Sequence, residues 1–216
     1  MKTCSLVVFL LLQVTWVYGQ SPNSYIQVGI SPVAYRGDLG HGFSKWRMNV
    51  NLGLLFNKKD RLNGSAQIAI GSVTGQSDDR EIGGSPDITP NSYFKTNFVA
   101  VNYELHYNII RNEFWKFYIG QGFGFMHFTP KDQYGENLRE QYETREEGES
   151  YGSIAIIFPT KLGVIYFLPN DFGLGFETGF YNSLTDYIDN ISAWGNKKGF
   201  DNMWYFKFSL NIPVSL

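Results

Sequence analysis

The chain has 216 residues and a formal net charge of −2, with 18 Lys and Arg against 20 Asp and Glu. A balance this even, with no lysine-rich run, excludes the basic footprint of a nucleic-acid-binding surface. Aromatic residues make up 17% of the chain and Gly occurs 23 times, a mixture that favours strands joined by tight turns, in a length suited to one domain.

The first segment reads as a leader rather than as part of the fold. Lys2 supplies a positive start, Leu6 to Leu12 is an unbroken apolar run, and Val17-Tyr18-Gly19 ends on a small residue. That layout is a secretory signal peptide over residues 1–19, cleaved after Gly19. The apolar run is too short for a comfortable transmembrane helix. Cys4 is the one cysteine and lies in this segment, so the exported part, residues 20–216, is expected to hold no disulfide and no cysteine site.

Beyond the leader the apolar residues alternate. A first strand is expected around Tyr25 to Tyr35. In the second, Trp46, Met48, Val50, Leu52, Leu54 and Phe56 share one face, with Arg47, Asn49, Asn51 and Gly53 on the other. In the third, Leu62, Ala66, Ile68 and Ile70 oppose Asn63, Ser65, Gln67 and Gly71. The fourth sets Val99, Val101, Tyr103, Leu105 and Tyr107 against Asn102, Glu104, His106 and Asn108, and the fifth sets Phe117, Ile119, Phe123 and Phe125 against Tyr118, Gly120, Gly122 and Gly124. A sixth strand, Ile154 to Leu168, points Ile165 and Phe167 inward and carries Pro159, which removes a ladder donor. The seventh runs around Phe172 to Phe180 with Gly173, Gly175, Glu177 and Gly179 facing inward, and the eighth alternates from Trp204 to Ile212.

The connections alternate in length. Arg36 to Lys45, Ser72 to Ser92, Thr129 to Ser153 and Asn182 to Asn202 are the longer ones. Asn57 to Asp60, Ile109 to Lys116 and Pro169 to Asp171 are the tight ones. Strands of this length, even in number, with long loops at one end and short turns at the other, predict an all-β, eight-stranded antiparallel transmembrane up-and-down β-barrel, OmpA-like, in a bacterial outer membrane. Mean hydropathy of −0.22 is compatible, because half of each strand faces a polar lumen. A soluble lipocalin-like barrel is the competing architecture, with its apolar face turned inward.

The inward faces carry Arg47, Lys161 and Lys207 against Glu104 and Glu177. Eight strands leave an interior that side chains can fill, and unpaired charges there are costly, so these groups are expected to pair as a plug; a gated ion path is the sharper alternative. His41, His106 and His127 are the available imidazoles. His127 and Thr129 share a face near the strand's outer end, but the register turns His127 toward lipid with no acid placed to orient it, so it reads as an interfacial residue. His106 belongs with the lumen network. Asp78, Asp79, Glu146, Glu147, Asp186 and Asp189 offer oxygen ligands without the spacing of a calcium loop, and are expected to be solvated loop charge. Gly120, Gly122 and Gly124 alternate along a strand and are not a phosphate cradle. No catalytic, cofactor or metal site is expected.

Three segments carry a resemblance. They are Tyr35 to Gly40 (YRGDLG), Gly122 to Lys131 (GFGFMHFTPK), and Leu174 to Phe180 with Leu184 to Ser192 (LGFETGF, LTDYIDNIS). Together they resemble the PorG-like outer-membrane barrels of Bacteroidota, a family linked to type IX protein secretion. The resemblance implies a non-enzymatic component that holds the machine's periplasmic ring, a lipoprotein and its partner, at the outer membrane. Asp38, Asp186, Tyr187 and Asp189 match the family's loop motifs. Expected partners are outer-membrane lipids and that ring, with no nucleic acid and no small-molecule substrate. Lys58, Lys59, Arg61 and Arg111, on the short turns, are candidate periplasmic contacts. A stand-alone OmpA-type structural or adhesin barrel is the alternative, and a lipid-modifying enzyme the third reading.

Overall fold

The computed structural model describes residues 22–39, 42–76, 92–141, 144, 152–192 and 200–214. The leader, His41, Asp78, Asp79, Glu146 and Glu147 lie outside the described residues. The elements are β1 (Ser24–Arg36), β2 (Trp46–Phe56), β3 (Leu62–Gln76), β4 (Tyr93–Arg111), β5 (Trp115–Lys131), a short 3₁₀ turn (Leu138–Glu140), β6 (Ile154–Phe167), β7 (Gly173–Ser183) and β8 (Asn202–Val214). Each strand pairs with its sequence neighbours, and β1 closes on β8, giving a closed antiparallel barrel. Closure removes the sheet edge that a membrane core would leave unsatisfied.

Alternation sorts side chains as the sequence predicts. Along β4, Val99, Val101, Tyr103, Leu105 and Tyr107 are exposed while Ala100, Asn102, Glu104, His106 and Asn108 are buried. The buried set is the polar one, so the apolar face is the exterior and a lipocalin-like inversion is excluded. In β6, Ile165 and Phe167 do point inward, packing with Tyr25, Leu55 and Tyr118 at the lower end of the lumen. Pro159 keeps its place opposite Tyr181 on the β7 side, while on the β5 side the pairing lapses between Thr160 and Ile157, as its missing donor predicts.

Several strands run further than their apolar alternation. β3 continues to Gln76, β4 spans Tyr93–Arg111 and β5 reaches Lys131, because their outer ends carry polar residues that still complete the ladder. The connection between β4 and β5 shrinks to residues 112–114. There Asn112 Oδ1 accepts the Phe114 and Trp115 N–H groups at 3.0 and 2.7 Å, a side-chain mimic of a backbone turn. The tight turn after β6 places Asp171 in the left-handed region at φ 65°, where Asp is among the better tolerated residues.

Aromatic rings mark both ends of the exterior. At the loop end Trp46 and Trp204 meet at 5.5 Å across Ala34, which pairs with both and is wholly covered. Near the short turns Trp115 packs on Tyr166 at 4.7 Å. Aromatic girdles bracketing an apolar band are the exterior of a lipid-spanning barrel.

Candidate functional site

The lumen holds what chemistry the barrel has. At mid-height Lys161 Nζ lies 2.6 Å from Glu104 Oε2 and 2.9 Å from Glu177 Oε2, and Lys207 Nζ lies 2.7 Å from Glu177 Oε2. These four side chains come from β4, β6, β7 and β8, and each is buried. Two acids face two ammonium groups, so the cluster carries no net charge. Removing water from such groups is tolerable only when their remaining hydrogen-bonding positions are filled. Here Tyr118 donates to Glu177 Oε1 at 2.6 Å, Asn102 donates to Glu104 Oε1 at 2.7 Å, and His106 Nε2 contacts Glu104 Oε2 at 2.9 Å. Lys207 extends the network to Gln67, and Gln67 and Gln27 carry it to Asn211.

Glycine makes the room. A Cβ at Gly122 would lie 2.7 Å from Glu104 Cγ, and one at Gly163 would lie 2.3 Å from the Tyr118 ring. Small positions on β5 and β6 therefore let the large lumen side chains lie across the barrel.

Arg47 does not join this cluster, contrary to expectation. It is half-buried at the outer end of β2, beside the Tyr93 phenol, because β2 and β3 stop pairing above Val50 and Ile70 and the side chain follows that break. His127 faces outward and is exposed. Among the described residues neither His106 nor His127 hydrogen bonds a hydroxyl, and no group of three or more metal-ligating side chains forms.

The outer mouth holds a second buried polar site, and it corrects the expectation that Asp189 is solvated charge. Residues 184–192 fold back into the barrel, burying Ile188 and Ile191 against Phe94, Phe98, Phe128 and Met203. Asp189 and Asp201 converge on one phenol: Tyr35 Oη lies 2.8 Å from Asp189 Oδ2 and 2.5 Å from Asp201 Oδ1. Asp189 also accepts the Leu39 and Ile191 N–H groups at 3.0 and 2.9 Å, and Asp201 accepts the Ile188 N–H at 2.8 Å. The Thr96 hydroxyl donates to the Ile188 carbonyl. One hydroxyl has one proton to give, so the second carboxyl must carry a proton of its own. Burial pushes both carboxyls up, Asp189 to about 7; the charge of Asp38 adds to it at Asp189, and the charges of Asp189 and then Asp186 add to it at Asp201. Asp38, Asp186 and Tyr187 are half-buried around this pair. Sequence reasoning missed the docking; the available signal was two isoleucines spaced among aspartates in a segment otherwise reading as loop.

No protein-family model matches the chain, and no curated protein does. Solved structures do. Neisserial surface protein A aligns with a TM-score of 0.54 at 11% identity, over 91% of this chain and 100% of its own. Ail, the attachment invasion locus protein of Yersinia pestis, gives 0.51 at 12%, over 89% and 98%. The outer membrane protein OprG of Pseudomonas aeruginosa gives 0.50 at 9%, over 92% and 99%. At these identities the likeness is one of fold. That fold and the lipid-facing exterior define an eight-stranded outer-membrane β-barrel.

Proposed function

We propose that the protein is a closed interaction barrel that holds a periplasmic assembly at the outer membrane and neither conducts nor converts a small molecule. The observation that carries this reading is the filled lumen. A charge-balanced cluster crosses its middle, an apolar group fills its lower end, and a docked loop fills its mouth. A barrel closed at three levels has its outer surfaces left to work with. The resemblance of the LGFETGF and LTDYIDNIS segments to PorG-like barrels supports the ring of a type IX secretion machine, a lipoprotein and its partner, as the assembly held.

The short-turn end would make that contact. Arg111 donates to the Lys59 and Asn57 carbonyls at 2.5 and 3.2 Å, and Arg61 reaches the Asn108 and Ile109 carbonyls at 3.4 and 3.3 Å. These two arginines shape the turn, and the exposed Lys58 and Lys59 are what it offers to a partner. Charges at such a rim tune association rate and salt dependence more than affinity. Photo-crosslinkers at Lys58 and Lys59, with Tyr134 at the opposite end as control (81% exposed), test the reading in cells. Crosslinks to ring proteins from the turn alone are expected. Crosslinks from Tyr134 alone, or intact secretion on deletion, would favour a stand-alone barrel of adhesin type.

A further inference from the structure

The outer ends of β2 to β5 carry cations that the lumen network does not use. The β2–β3 ladder stops at Val50 and Ile70, although β2 continues to Trp46 beside β1 and β3 continues to Gln76 beside β4. Side chains bridge this seam instead. Asn49 Oδ1 accepts the Ser72 N–H at 2.7 Å, and Lys45 Nζ donates to Gln76 Oε1 at 2.5 Å. Arg47 shares the inward parity of Asn49 and Asn51, yet it reaches the phenol of Tyr93, which has the outward parity of Lys95 and Val99. The charge of Lys95 falls on the same phenol. Lys95 stands directly opposite Lys131 across the β4–β5 ladder.

Lys45, Arg47, Lys95 and Lys131 are all half-buried. Among the described residues none of the four forms an ion pair. Like charges directly opposite on one face of a sheet destabilise it. A barrel that places two lysines this way, with an arginine and a phenol at the neighbouring seam, gathers positive charge at this end of its wall. The planar guanidinium fork matches phosphate oxygens, and the ammonium groups add point charge. The group lies on the exterior just beyond the last apolar pair, Ile70 with Val99, at the loop end, where the lipid tails give way to headgroups.

We infer that Lys45, Arg47, Lys95, Lys131 and the Tyr93 hydroxyl form a binding site for the phosphomonoester of an outer-leaflet lipid headgroup. The broken ladder is part of the site, because it lets Arg47 pass from the inward row of β2 to the outward side. Free inorganic phosphate shares this chemistry, but it would not be held at the lipid boundary.

The test uses the full barrel folded into phosphatidylcholine vesicles, with and without diphosphoryl lipid A. Lipid retained through mild detergent extraction is counted by native mass spectrometry. The parent should keep lipid A, and Lys95→Gln with Lys131→Gln should lower its retention at least about tenfold, a difference of about 1.4 kcal/mol. Lys58→Gln with Lys59→Gln, at the other end of the barrel, should leave lipid A retention as in the parent. A second reading does not depend on capturing the complex. In phosphatidylcholine alone Lys131→Gln should raise the urea midpoint by relieving repulsion, and with lipid A present it should lower that midpoint. Unchanged lipid A retention in the double variant, a midpoint shift of the same sign in both membranes, or lysine-dependent binding of 10 mM inorganic phosphate (about that concentration suits weak anion sites) without lipid A retention would each overturn the inference.

Discussion

Carboxylates are buried at two levels of this barrel, and each level neutralises them differently. At mid-lumen Glu104 and Glu177 face Lys161 and Lys207, cations borne by other strands of the wall. At the mouth Asp189 and Asp201 meet a phenol and main-chain N–H groups, and among the described residues no cation pairs with them. The first arrangement is fixed by the barrel and persists while the barrel is folded. The second lasts only while residues 184–192 stay docked, and it depends on a retained proton. The lower site is therefore a permanent closure, and the upper one is a closure that responds to its surroundings.

The largest expected effect is at the lower site. Glu177→Ala strips Lys161, Lys207 and Tyr118 of a shared acceptor and should destabilise the barrel by about 3–5 kcal/mol. Adding Lys207→Ala should recover part of that loss, giving a coupling energy well above the ~1 kcal/mol of exposed pairs. Urea titration in lipid vesicles, read by the mobility of unheated samples on gels, measures both. Additive losses would mean that the two groups do not act as a pair.

At the mouth, Tyr35→Phe removes the shared hydroxyl and should cost about 1–3 kcal/mol, the penalty for leaving buried acceptors unsatisfied. That loss should appear as proteolysis within residues 184–192, with the barrel still resistant. Loss of barrel resistance at the same protease concentration would show that the two levels are not separable.

The same pair sets a pH dependence. Asp189 is raised from 3.8 to about 7 and Asp201 is raised well above its ordinary value, both by burial first. A carboxyl with a raised folded pKa binds its proton more tightly docked than free, so the docked loop is favoured at low pH. That advantage drains away as pH rises from about 4 through about 7. Amide exchange at Ile188 and Ile191 should accordingly slow between pH 8 and pH 5 after correction for intrinsic rates, and Asp201→Asn should flatten the profile. An unchanged slope in that variant would remove the proton from the account.

The smallest effect sharpens the boundary of the lower site. Arg47→Gln and Glu104→Gln should act additively within about 0.5 kcal/mol, because Arg47 stands by Tyr93 while Glu104 pairs with Lys161 and His106. Coupling beyond that would return Arg47 to the cluster.

How far these features were legible follows from where apolar alternation operates. It identifies the strands and their inward faces, since lipid on one side and a polar lumen on the other force a period of two. It fails above the lipid band, where Ser72 to Gln76 and Tyr93 to Asn97 pair as strands although their buried apolar residues, Val73 and Phe94, point inward and so reverse the apolar-out pattern. Glu104, Lys161, Glu177 and Lys207 can be read as inward residues, but which acid meets which base depends on how far each side chain reaches across the lumen. Arg47 was misplaced because parity assumes an unbroken ladder, and the β2–β3 ladder breaks beside it. The docked loop is invisible to periodicity. Ile188 and Ile191 stand three apart, but one such pair among polar residues is too little to mark a helix face, and their burial depends on a cavity that exists only once the barrel has closed.

The lumen is filled at three levels, by the docked loop, the charged cluster and the apolar lower end, and conductance across planar bilayers tests that closure most directly. The parent should show no ion steps, and a variant with residues 185–192 replaced by Gly and Ser should also show none, because the Glu104–Lys161–Glu177–Lys207 cluster still fills the barrel below. Steady unitary currents from the parent, or from the loop variant while Lys161 and Glu177 remain in place, would contradict the account.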